Sequence, residues 1–157
     1  SRAEKKVRDR LEELGVECFL PVQTVLRQWT YRKSRVVVPV IAGLVFVRVG
    51  RQEQVKVLQT KGVVAFLRLK GEAGAAVIPD KQMEDFRFLL DFSEEAVEMT
   101  NENIKAGDLV RVVKGSLRGM EGELIRHKGV TKVLVRIDML GCAMVNIPAS
   151  FVEKLNK

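Results

Sequence analysis

The chain is poor in the side chains from which most catalytic and metal sites are built. Among its 157 residues there are two cysteines, Cys18 and Cys142, and one histidine, His127. Two thiols do not make a disulfide framework, and two thiols with one imidazole fall short of a structural zinc site. No apolar run approaches the roughly 20 residues that a membrane helix needs. The longest, "VVVPVIAGLVFV" at 36–47, is interrupted by Pro39 and Gly43 and is rich in β-branched residues, so it reads as strand. The N-terminus is charged and polar and carries no signal-peptide pattern. These absences point to a reduced, cytoplasmic protein with no membrane partner.

Catalytic groupings are lacking as well. His127 stands beside Lys128 with no recognisable nucleophile near it in sequence, and reads as a surface side chain. Glu94 and Glu95 are adjacent carboxylates in a polar stretch with no sign of an enclosing pocket. Both cysteines alternate with apolar neighbours, as buried, inert thiols do. "GDLVRVVKGSLRGMEGELIRH" at 107–127 is rich in glycine, but Gly115, Gly119 and Gly122 fit neither GxGxxG nor GxxxxGK[ST]. Strands flank it on both sides, whereas a phosphate loop leads into a helix N-terminus. Its glycines read as turn residues, with Gly122 letting a strand bend. The chain is expected to be non-enzymatic, with neither cofactor nor metal.

Basic charge is what the chain has in excess. The formal net charge is +7. Residues 1–50 carry 10 basic and 5 acidic side chains, 51–104 carry 7 and 10, and 105–157 carry 10 and 5. Two basic lobes flank an acidic waist, which suits a nucleic-acid-associated or otherwise acidic partner.

The hydrophobic pattern divides the chain. In "RAEKKVRDRLEEL" (2–14), Ala3, Val7, Leu11 and Leu14 recur at helical spacing and Gly15 supplies a stop. Strand-like "VECFLPVQTVL", a polar loop, and a strand at 36–49 follow. A short helix at 51–60 and a strand "VVAFLRL" at 63–69 come next. Asp80 is placed to cap a helix in which Met83, Phe86, Leu89 and Leu90 share a face. Residues 1–91 therefore read as an α+β domain, an antiparallel sheet flanked by helices. Residues 92–104, acidic and poorly periodic, read as a linker. From 105 to 157, short strands at 108–113, 121–126, 131–137 and 142–147 predict a small all-β barrel.

Two surfaces stand out. In "RQWTYRKSR", Arg27, Arg32, Lys33 and Arg35 can neutralise phosphates, while Trp29 and Tyr31, the only residues of their kinds, can stack on bases. The same pattern also fits a solvated hairpin tip whose aromatics pack back onto the sheet. The strand "VIAGLVFVRV" is apolar on both faces, so both must be covered, by its own domain or by a partner. Ile41, Leu44 and Phe46, with Phe19 and Phe66, are candidates for a partner-binding surface, and ordinary core explains the same pattern.

The order of these pieces resembles the NusG/Spt5 family of transcription elongation factors, in which an NGN domain is linked to a KOW barrel. "KAGDLVRVVKGSLRGMEGELIRH" and "KVLVRIDMLGCAMVNIPASFVEKL" are similar to the KOW domain. "RAEKKVRDRLEELGVECFLP", "VPVIAGLVFVRV", "GVVAFLRL" and "VIPDKQMEDF" are similar to the NGN series. Within the family the wording resembles the UpxY-type antiterminators of polysaccharide operons. The resemblance implies a factor that binds the RNA polymerase clamp helices through an apolar pocket and suppresses pausing or termination. It places Ile41, Leu44, Phe46 and Phe66 at that pocket and Gln54 toward the opposite side of the cleft. It also admits nontemplate DNA or nascent RNA as partners, and a second protein partner on the KOW barrel. The family's "FPGYVFV" stands here as "IAGLVFV", with Ala42 and Leu44 substituted, and Leu140 replaces an aromatic in the KOW half. The first NGN strand, expected just before "RAEKKV", has no counterpart, which implies a chain shortened at its N-terminus. The alternative reading is a KOW-type RNA-binding or ribosome-associated protein. A cytosolic adaptor with neither polymerase nor nucleic-acid contacts is a third.

Overall fold

A computed structural model describes residues 2–28 and 30–155, without the side chains of Arg2 and Arg27. The elements are α1 (Arg2–Glu13), β1 (Glu17–Phe19), β2 (Val22–Gln28), β3 (Lys33–Pro39), β4 (Phe46–Arg48), α2 (Arg51–Leu58) and α3 (Asp80–Phe92). There follow β5 (Glu98–Thr100), β6 (Asp108–Val112), β7 (Glu121–His127), β8 (Val130–Ile137), β9 (Gly141–Asn146), a 3-10 turn (Ala149–Phe151) and β10 (Val152–Lys154). The fold class is as expected: a helix-and-sheet unit followed by an all-β one. The chain groups into two compact units, Ser1–Ala76 and Val77–Lys157, a division that falls before the expected boundary at residue 91.

In the first unit, α1 begins the core. Val7 and Leu11 are one helical turn apart and buried, and Gly15 ends the helix at φ 75°. The buried stripe is not the one periodicity suggested. Ala3 and Leu14 are exposed, and Glu4, one turn before Val7, is buried instead. Val7, Leu11, Val16 and Val57 form the centre, with Cys18, Val45, Val47, Val49, Val63 and Phe66 packed against it.

The two long strands expected here are each broken. Leu20 and Pro21 separate β1 from β2, and the turn around Gly43 (φ 72°) separates β3 from β4. The pieces then sort into two antiparallel pairs, β1 with β4 and β2 with β3. The expected strand at 63–69 does not form. No described strand pairs with it, and its carbonyls at Leu67 and Leu69 accept local bonds from Ala76 and Glu72. An apolar alternation cannot hold a ladder without a neighbour.

The second unit is a six-stranded antiparallel sheet in the order β10-β6-β7-β8-β9-β5, consistent with an SH3-like barrel. All four strands expected after residue 105 are present within a residue or two of their expected ends. β5, inside the expected linker, pairs with β9 from Glu98↔Met144 to Thr100↔Cys142. Gly115 (φ 86°) and Gly119 (φ 97°) make the β6–β7 turn. Gly122 lies within β7, where β8 runs close beside it. A Cβ there would meet the Leu134 carbonyl oxygen at 2.9 Å, so glycine is needed for the close approach of β8.

α3 packs against β8, with Phe86 and Leu89 fully buried. The Gln82 amide donates to Asp138 Oδ1 at 3.0 Å, and Gln82 Oε1 accepts the Asp138 N–H at 2.8 Å. The helix N-cap is Pro79, not Asp80; Asp80 is the first helical residue, where its charge complements the helix dipole.

Candidate functional site

The β1–β4 pair puts two kinds of side chain on two faces. Cys18 pairs with Val47 and both face the buried cluster, together with Val45 and Val49. The two-residue period of a strand then turns Leu44, Phe46 and Arg48 the other way. Phe19 lies directly opposite Phe46, and their rings stack with centroids 6.1 Å apart and planes at 23°. Glu17 and Arg48, opposite in charge, are paired across the same face. The outcome is a half-buried apolar surface with charges at its edge.

The turn leading into β4 carries Ile41 and Leu44, both half-buried. Two hydrogen bonds hold it. The Val40 N–H donates to the Pro21 carbonyl at 2.9 Å, and the Gly43 N–H donates to Glu4 Oε2 at 2.9 Å. Glu4 is only 5% exposed, which accounts for a carboxylate on the apolar stripe of α1: it reaches the backbone of the turn. Sequence periodicity treated Glu4 as a solvated charge and missed it. A carboxylate three residues before a buried valine was the available signal.

The expected pocket residues are only partly brought together. Ile41, Leu44 and Phe46 lie on the turn and the outward side of β4, whereas Phe66 packs on the cluster side with Val7 and Leu11. Gln54 is half-buried on α2, one turn before the buried Val57. Phe19 is the partner that stacks on Phe46.

The basic hairpin is the second surface. β2 and β3 pair over seven residues each, from Val22↔Pro39 to Gln28↔Lys33. Arg32, Lys33 and Arg35 are exposed, and Tyr31 at the tip is 97% exposed, so it does not pack back onto the sheet. Trp29 and the side chain of Arg27 lie outside the described residues.

Titratable groups in the second unit serve structure. Arg136 grips Glu123 with two bonds, Nε to Oε2 at 2.7 Å and Nη2 to Oε1 at 3.0 Å. The pair also holds the incoming chain: Arg136 Nη2 donates to the Ile104 carbonyl at 2.8 Å, and Gly107 N–H donates to Glu123 Oε1 at 3.1 Å. Burial pushes the Glu123 carboxyl up, but the Arg136 and Gly107 hydrogen bonds and the guanidinium charge bring it below its ordinary range. Burial pushes the Cys142 and Cys18 thiols up, which leaves both poorly nucleophilic. His127, expected at the surface, has a side chain only 13% exposed, with Nε2 3.2 Å from Glu102 Oε2. No helix among the described residues is long and apolar enough to cross a membrane.

No curated protein matches the chain. The profile of the family described as Transcription termination factor nusG matches residues 1–87, more than half of the chain and all of the unit that carries both surfaces. The chain therefore belongs to the NusG family of transcription factors.

Proposed function

We propose that this protein is a non-catalytic transcription elongation and antitermination factor that rides on RNA polymerase. The apolar face of Leu44, Phe46 and Phe19, with Ile41 on the turn beside it, receives the polymerase clamp helices. Gln54 on α2 approaches the other side of the cleft, and Phe66 supports the strand from beneath. The observation that carries this reading is the Phe19–Phe46 stack, a half-buried aromatic pair on the strand face turned away from the core. An apolar patch rimmed by charge suits a partner helix. The six-stranded unit is a KOW domain that recruits a second partner, and the factor acts on particular operons, those for polysaccharide synthesis among them.

The deciding experiment is co-purification with core RNA polymerase. Leu44→Glu and Ile41→Glu should abolish it while circular dichroism remains unchanged. Retention of polymerase by both folded variants would sink the assignment. The second reading, an RNA-binding or ribosome-associated protein, draws on the exposed Lys114, Arg118, Arg126 and Lys128 of the second unit. Tight, salt-sensitive binding to ribosomal RNA without polymerase would favour it.

A further inference from the structure

No aspartate or glutamate occurs between Glu17 and Glu53, an interval that contains Arg27, Arg32, Lys33, Arg35, Arg48 and Arg51. The β2–β3 ribbon lies wholly inside this acid-free interval. Its two strands pack chiefly on each other, and they form a sheet separate from the β1–β4 pair. Its two faces differ. Gln23, Val25, Ser34, Val36 and Val38 are half-buried, whereas six of the eight side chains that alternate with them are exposed, all but Val22 and Pro39 at the base of the hairpin. Those six form three cross-strand pairs: Gln28 with Lys33, Leu26 with Arg35, and Thr24 with Val37.

We propose that this exposed face enters the major groove of a B-form DNA duplex, with Arg32, Lys33 and Arg35 on phosphates and Gln28, Leu26 and Thr24 toward the base edges. The inference deepens the reading of this hairpin as a nucleic-acid surface and is independent of the polymerase face. Its first support is shape. Two strands about 5 Å apart, seven residues long, make a ribbon about 20 Å in length, and the B-DNA major groove, about 12 Å wide, admits such a ribbon. Its second support is chemistry. Glutamine is suited to adenine, arginine and lysine to guanine or phosphate, and aliphatic side chains such as Leu26 and Val37 to the thymine methyl group.

The geometry also selects against other nucleic acids. The deep, narrow major groove of A-form RNA is closed to side chains, so an RNA duplex offers the ribbon no comparable seat. A single strand is held by aromatic platforms, and among the described residues the exposed face of the two strands carries none. Tyr31 belongs to the turn at the tip and to neither strand.

The test is fluorescence anisotropy with the intact protein and a short fluorescein-labelled DNA duplex, each of its separated strands, and the matching RNA duplex. The DNA duplex is expected to bind tightest. Three phosphate contacts predict a slope of log K against log salt of about −3, and Lys33→Gln or Arg35→Gln should each reduce it by about 1. Leu26→Glu, at the centre of the face, should weaken duplex binding by about tenfold or more through charge repulsion with the groove. All these positions are exposed, and circular dichroism will confirm that the variants fold. Equal or tighter binding of the single strands, with Leu26→Glu without effect, would overturn the groove placement while leaving the hairpin a nucleic-acid surface. Tighter binding of the RNA duplex would overturn the choice of DNA. Absence of binding to any of the probes would overturn both the groove and the hairpin reading, without touching the polymerase assignment.

Discussion

The carboxylate of Glu4 accepts the backbone N–H of Gly43 at 2.9 Å, tying the first helix to the turn that presents Ile41 and Leu44. One buried side chain thus couples the core of the unit to the surface assigned here to the polymerase.

Glu4→Ala removes this acceptor and should destabilise the protein by about 1–2 kcal/mol in urea unfolding. Gly43 is itself exposed, so water can replace part of what is lost. Glu4→Gln keeps an oxygen that can accept the same N–H and should cost less. Equal stabilities for the two variants would show that the bond does not anchor the turn.

The Phe19–Phe46 stack should appear as a coupling in a double-mutant cycle. Phe19→Ala and Phe46→Ala are each expected to weaken polymerase co-purification and stability. Their interaction energy should be about 0.5–1.5 kcal/mol, the usual range for such ring pairs. Strictly additive effects would mean that the two rings act apart.

Gly122→Ala should destabilise the second unit by about 1–3 kcal/mol, because the new methyl group meets the Leu134 backbone carbonyl and the Val133 side chain. Backbone cannot rotate away as a flexible side chain would. Wild-type stability in a thermal melt would show that β7 and β8 can separate without cost.

The Glu123–Arg136 pair predicts an acid sensitivity. The folded Glu123 carboxyl titrates below its ordinary range, so the folded state gives up this proton at a lower pH than the unfolded chain does. The pair's stabilisation is therefore fully present above the ordinary carboxylate range and is lost as pH falls through the lowered folded value. Melting temperature should drop on acidification, and the drop should be smaller in Glu123→Gln. An identical pH profile for that variant would remove Glu123 from the acid response.

Much of this was legible because it is local. The helices at 2–13, 51–58 and 80–92 follow from periodicity and stop signals, and the positive-φ turn at Gly115 and Gly119 follows from the need for glycine there. The exposed, basic character of the hairpin was readable in the same way. What could not be read depends on partners distant in sequence. "VVAFLRL" has the composition of a strand and no strand beside it, while "EMT" at 98–100, with little apolar pattern, is a strand because β9 supplies the hydrogen bonds.

Residue patterning alone specifies an α+β half and an all-β half, an apolar strand before residue 50, and a basic hairpin ahead of it. Alternation is a local property of the backbone, and it shows that Val45, Val47 and Val49 oppose Leu44 and Phe46. Which of the two sets is covered depends on tertiary packing. α1 and α2 pack on the valines, which leaves Phe46 to stack on Phe19 and sends Phe66 into the core. The same packing draws Glu4 out of water and onto Gly43. Burial of one face against another is settled by the whole fold, because neither face carries in its own residues a mark of what will lie against it.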